Sequence, residues 1–180
     1  MTKKTISTKQ TIIKRLKSHW EWFLFPAVLI SIIFWQTKDA LSTQGNVKVP
    51  NFVLPSIQGE LIDSSKFDGK PTLYYFFAPW CSVCDLSIEN IQTLKDELNA
   101  NEINVIAIAL DYQSKEEVEE FIRNNKFPGI IALGSQQQKY DFQIKGYPTY
   151  YIANRSGIIK WASIGYSTSI GINTRINWTD

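Results

Sequence analysis

Cysteine, histidine and methionine are nearly missing from this chain of 180 residues, which has Cys81, Cys84, His19 and Met1 and no others of these types. A structural zinc site needs about four ligands. Two cysteines three positions apart do not supply them, and His19 lies on the far side of an apolar segment, so no metal is expected as the main business of the chain. Covalent haem attachment places a histidine directly after the second cysteine; here that residue is Asp85. An excess of positive charge is also missing where it would matter. The formal charge is +2, but residues 1–38 hold seven Lys/Arg against Glu21 alone, while residues 44–180 carry twelve basic and fifteen acidic residues. The globular part is therefore near −3, which argues against nucleic-acid binding. No internal repeat or low-complexity tract occurs.

What is present is concentrated in Ala78-Pro79-Trp80-Cys81-Ser82-Val83-Cys84. The aromatic run Thr72–Phe77 leads into it and a helical pattern leads away, so the thiols fall at a strand-to-helix turn. Unpaired N–H groups and the macrodipole at a helix start favour negative charge, and the thiolate is the species that attacks disulfides. The two-residue spacing lets one sulfur resolve a mixed disulfide formed by the other. Cys81, nearer the tip, is the expected attacker and Cys84 the expected resolving thiol. A purely structural Cys81–Cys84 disulfide is the plain alternative, but so short a loop constrains the unfolded chain little.

Trp80-Cys81-x-x-Cys84 after an aromatic strand resembles the active site of the thioredoxin superfamily, and Gly146-Tyr147-Pro148-Thr149-Tyr150-Tyr151-Ile152 resembles its cis-proline loop. Val49–Leu54 with Gly59–Ile62 is similar to the opening hairpin of the membrane-anchored TlpA/ResA/DsbE branch. The tail Gly165–Ser169 is similar to the thioredoxin-like suppressors of copper sensitivity within it. The resemblance covers roughly residues 47–178. It implies an α/β thioredoxin-like fold, a cis Tyr147–Pro148 bond packed against the thiol loop, and a redox-active Cys81–Cys84 pair. It further implies that Trp80, Pro79, Tyr147, Pro148 and Thr149 support substrate binding, with no cofactor. Its partners would be cysteine-containing exported proteins, such as apocytochromes or copper-stress proteins, and a membrane electron carrier that resets the pair.

The N-terminus sets the expected location. A basic tail (residues 1–19) precedes an aromatic and apolar segment (20–37) whose uncharged part, Trp22–Thr37, is just short of the about 17–25 residues of a spanning helix. Trp20, Trp22 and Trp35 stand at its ends as interfacial aromatics do, and the preceding Lys and Arg hold that end in the cytoplasm. The expectation is a single uncleaved transmembrane anchor, a linker (38–48) and an extracytoplasmic domain (49–180). The competing reading is a cleaved signal peptide, with Ala40-Leu41-Ser42 at the cleavage site.

Within the domain, strands around Phe52–Leu54 and Leu61–Ile62 flank Gln58-Gly59 as a hairpin. Residues 72–77 lack polar alternation, which suits a strand buried on both faces. Ile88, Ile91, Leu94 and Leu98 predict one helix from near Cys84 to about residue 99. A strand at 103–110, a helix capped by Ser114, a short strand at 129–133 and a helical segment at 136–142 follow. A hairpin turns at Asn154–Gly157, and a last helix is capped by Ser167 or Ser169. The sum is a central mixed sheet with helices on both faces, an N-terminal β-hairpin and one preceding transmembrane helix.

The group that handles the resolving thiol's proton is left unassigned. Relatives place a buried acid six residues before the first Cys or a Glu three after the second; here those positions are Tyr75 and Ser87. Tyr75 is read as core and Asp85 as a solvated first-turn residue. A peroxiredoxin reading lacks its Pro-x-x-x-Thr/Ser-x-x-Cys motif, and a non-catalytic thioredoxin-fold module that docks a partner or holds copper, since thiolates suit Cu(I), is the remaining alternative.

Overall fold

The structure is a computed structural model that describes residues 26–28, 31, 47–100 and 102–179. Two units separate, residues 1–38 and 39–180. In the first, residues 26–28 and Ser31 are helical and exposed. The expected basic tail, and all but these four residues of the expected anchor, lie outside the described residues, as does most of the linker. Among the described residues, no helix is long and apolar enough to cross a membrane.

The second unit is built on a five-stranded mixed sheet. Its strands are β3 (Thr72–Phe77), β4 (Asn104–Ala109), β5 (Ile130–Leu133), β6 (Thr149–Ala153) and β7 (Ile159–Ile164), in the order β5-β4-β3-β6-β7. β3, β4 and β5 are parallel, whereas β6 runs antiparallel to β3 and β7 antiparallel to β6. The expected opening hairpin is present as β1 (Val53–Pro55) and β2 (Leu61–Asp63), a separate antiparallel pair. Gly59 turns it at φ +93°.

All six residues of β3 are buried, and their alternation divides the core. Leu73, Tyr75 and Phe77 point to one face, and Tyr74 and Phe76 to the other. The first face is covered by α1 (Ser82–Gln92), α3 (Lys115–Asn125) and α5 (Ser169–Asn177) through Ile88, Val118 and Ile172. The second is covered by the β1–β2 hairpin and by Phe142 and Ile144, which follow the short α4 (Gln136–Asp141). Its covering is thus mostly hairpin and loop, with helix contributing little.

Two helix boundaries differ from expectation. The single helix predicted through Leu98 is broken after Gln92 and resumes as α2 (Lys95–Asn99). The Thr93 hydroxyl donates to the Asn90 carbonyl at 2.7 Å, and the Leu94 N–H closes a tight i→i−3 bond on Ile91. Local side-chain competition of this kind ends a helix that hydrophobic periodicity would continue. The last helix is capped by Thr168 and by neither Ser167 nor Ser169. Ser167 is buried instead, its hydroxyl 3.3 Å from that of Ser163. Thr168 Oγ1 accepts the Gly171 N–H, and a Cβ on Gly171 would crowd that oxygen at 3.2 Å. The glycine that weakens the helix leaves room for its cap.

Candidate active site

The chain leaves the buried end of β3 at Ala78, turns through half-buried Pro79 and exposed Trp80, and enters α1 at Cys81. Cys81 is the N-cap, extended at φ −89°, ψ 105°, and its Sγ accepts the Cys84 N–H at 3.3 Å. A sulfur thus occupies the acceptor place that a Ser, Thr or Asp oxygen fills in ordinary caps. Its carbonyl takes the Cys84 and Asp85 N–H groups at 3.0 and 3.2 Å.

The two thiols are free and unequal. Cys81 keeps 8% of its surface, whereas Cys84 has none. Burial pushes the Cys84 thiol well above its ordinary value, and the adjacent Cys81 sulfur pushes it further. Cys81 also lines an open groove of about 330 Å³ between the start of α1 and α3, with Trp80, Asp85, Glu117, Glu120 and Phe121 around it. Asp85 is exposed, as expected of a first-turn acid. Its carboxylate also accepts the Asn125 amide at 2.7 Å, tying α1 to α3.

On the other side of the sulfurs the Tyr147–Pro148 bond is cis. The Tyr147 ring meets that of Trp80 edge-on, centroids 5.8 Å apart at 84°, which brings the proline loop against the thiol loop. Pro148 is buried, and Thr149 begins β6 with its hydroxyl on the Gly146 carbonyl at 2.8 Å. Not all of this loop's backbone is open to an incoming strand: the Pro148 carbonyl already accepts the Gly165 N–H at 2.7 Å. Pro79, Trp80, Cys81, Cys84, Tyr147, Pro148 and Thr149 therefore converge from two distant stretches of chain.

Sequence reasoning missed Asp111, the residue that ties these stretches together. It follows β4 in the left-handed region at φ +49°. Its carbonyl accepts Trp80 Nε1–H at 2.9 Å, and its carboxylate accepts the Tyr147 hydroxyl and the Gln136 amide, each at 2.9 Å, and pairs with Lys139. Partial burial would raise its pKa, but the bonds from Lys139, Gln136 and Tyr147 outweigh that and hold it below the usual carboxylate range. Burial first, and Asp111 second, push the Tyr147 phenol up, so it stays a donor. Lys139 Nζ also stands 5.7 Å from the centre of the Tyr147 ring. An acid directly after an apolar strand was the only signal in the sequence.

Tyr75, expected as core, is fully buried, and its hydroxyl donates to the Cys84 carbonyl at 2.9 Å. Ser87 is buried too, with its hydroxyl spent on the Val83 carbonyl at 2.6 Å.

Known proteins match this architecture. Sporulation thiol-disulfide oxidoreductase A of Bacillus subtilis (strain 168) is 27% identical over 157 residues, covering 85% of this chain and 93% of that protein. The crystal structure of StoA from Bacillus subtilis superposes with a TM-score of 0.60 at 26% identity, over 76% of this chain and 100% of that one. A Chlorobium tepidum protein assigned as thiol:disulfide interchange protein DsbE superposes with a TM-score of 0.70 at 22% identity, over 77% and 99%, a likeness of fold. The Redoxin family model matches residues 44–174, from just before the hairpin into α5 and across both halves of the site; the chain belongs to the Redoxin family.

Proposed function

We propose that this protein is a thiol–disulfide oxidoreductase in which Cys81 attacks and Cys84 resolves. The observation that carries the reading is the inequality of the two sulfurs: Cys81 caps a helix at the floor of an open groove, and Cys84 lies sealed beneath it. An attacking thiol needs a path to its partner, and a resolving thiol needs only a path to the first sulfur. The names of the relatives, thiol-disulfide oxidoreductases, support the same class.

The finer reading is that the domain works outside the cytoplasm, tethered by the 20–37 segment, on cysteine-containing exported proteins, and is reset by a membrane thiol–disulfide carrier. Its support is the basic tail followed by an aromatic-flanked apolar segment. Trp80 and the Tyr147–Thr149 loop would hold the substrate segment beside Cys81.

Insulin reduction tests the exchange. Cys81→Ser should abolish it, and Cys84→Ser should trap mixed disulfides on Cys81. Full activity in Cys81→Ser would end the proposal. Alkylation of cysteines introduced at either end of the chain in intact cells tests the topology, with the N-terminus protected and the C-terminus labelled.

A further inference from the structure

Cys84 has to lose a proton in mid-reaction, from a place with no exposure to water. Burial disfavours a charged sulfur unless something donates to it. Its own N–H does not help, being turned onto Cys81 Sγ, and the one backbone group that favours the charged sulfur is that of Ala78. The side chain that does reach Cys84 is Tyr75, from the middle of β3, with its hydroxyl on the Cys84 carbonyl at 2.9 Å. That carbonyl lies in the first turns of α1, where helical geometry already offers it an N–H four residues on. The Tyr75 bond is therefore an addition the helix does not need.

The Tyr75 ring is fixed by Phe77, Phe127 and Tyr150, with centroids at 5.8, 6.3 and 5.1 Å. Its hydroxyl hydrogen is still free to rotate about the C–O bond. Burial, and Cys84 next, push the phenol far above its ordinary value, so it carries its proton throughout the working range. The other titratable groups around Cys84 are Cys81 on its own helix and Tyr147 and Tyr150 across from it. Tyr147 is committed to Asp111, and the Tyr150 hydroxyl is buried without a partner among the described residues.

We propose that Tyr75 is the side-chain hydrogen-bond donor for the Cys84 thiolate: its O–H rests on the Cys84 carbonyl in the reduced protein and turns onto Cys84 Sγ when that thiol ionises. This rests on the exchange chemistry proposed above. In the resolving step Cys84 loses one proton, matched by the one the departing substrate sulfur takes up, and its sulfur attacks the Cys81 sulfur of the mixed disulfide. The Cys81–Cys84 bond forms, the Cys81–substrate bond breaks, and the electron pair leaves on the substrate sulfur, which takes up a proton. The protein pair is oxidised by two electrons and the substrate disulfide reduced by two. Tyr75 keeps its own proton throughout.

The test is stopped-flow reaction of the reduced full-length protein with the disulfide reagent DTNB, which releases one coloured thiolate when Cys81 attacks and a second when Cys84 resolves. In Tyr75→Phe the first phase should stay within about twofold. The second should slow about tenfold at neutral pH, with its pH profile displaced upward by about one unit, since the thiolate would lose a charge-assisted bond. Tyr150→Phe removes a hydroxyl of similar burial that has no hydrogen-bond partner among the described residues and should leave the second phase within about twofold. An unchanged second phase in Tyr75→Phe, or equal slowing in both variants, overturns the inference. If Tyr75→Phe does not fold, 2,3-difluorotyrosine at position 75, a stronger donor of nearly the same size, should speed the second phase at least about twofold; no change overturns the inference. A wild-type protein that releases one thiolate only would instead remove the exchange reading beneath it.

Discussion

Trp80 and Asp111, 31 residues apart, are joined by a 2.9 Å bond from the indole N–H to a main-chain carbonyl. The same Asp111 accepts the hydroxyl of Tyr147, whose ring lies edge-on to Trp80. One residue at the end of β4 thus holds the thiol loop and the proline loop in register. Because the bond to Trp80 uses backbone, it survives a change of side chain; the bond to Tyr147 does not.

Asp111→Asn should reveal the charge in that junction. The folded pKa lies below the unfolded value, so the stability Asp111 contributes is present in full above about pH 4 and is lost as pH falls through the lower folded pKa. The variant, which also tolerates the left-handed backbone, should be about 1 kcal/mol less stable at pH 7 and should lose less than wild type between pH 5 and 3. Urea midpoints across that range decide it, and parallel pH curves would show that the carboxylate does not matter.

Trp80→Ala should separate docking from chemistry. The side chain is 63% exposed, so stability should change by about 1 kcal/mol or less. Loss of the wall over Cys81 and Tyr147 should lower kcat/KM for a protein disulfide about tenfold, about one hot-spot contact, yet leave the first DTNB phase within about twofold. Insulin and DTNB assays side by side check this; equal losses on both would place Trp80 in the chemistry itself.

Gly129 and Gly59 should respond differently to alanine. A Cβ at Gly129 would stand 2.1 Å from the Val105 carbonyl oxygen, a backbone atom of β4 that has no room to retreat. At Gly59 a Cβ meets open space, and only its φ of +93° resists. Gly129→Ala should cost about 3 kcal/mol and Gly59→Ala about 1–2, read from urea midpoints. A Gly129→Ala protein as stable as wild type would show that the backbone of β4 yields to a side chain at this position.

Phe142→Ala should test the face of the sheet away from the thiols. Phe142 is fully buried and packs on Phe52, Tyr74, Phe76 and Tyr151, with the Phe76 centroid at 4.7 Å. Truncation should cost about 3–5 kcal/mol, while thiol reactivity in the surviving folded protein stays near wild type, because the damage lies across β3 from Cys81.

Much of this was legible beforehand because the signals are local. The aromatic run ending at Ala78 and the Cys-x-x-Cys spacing place two sulfurs at a helix mouth, and Asn154–Gly157 can hardly be anything but a turn. Thr93 shows where local reading fails: its neighbours have helical periodicity, yet a side-chain bond to Asn90 ends the helix. Thr168 outcompetes two serines as a cap because Ser167 is drawn inside.

The order of residues by itself determined which atoms could do the chemistry: two thiols, a short turn and a proline far downstream, since spacing along a helix and the residues flanking a turn are properties of adjacent sequence. Only tertiary structure decided that Cys84 would be sealed while Cys81 stayed reachable, that Asp111 would clasp Trp80 and Tyr147, and that a core tyrosine from β3 would touch the second cysteine. Those depend on which face of β3 meets α1 and on where β4 ends, and such distances exist only once the sheet has formed.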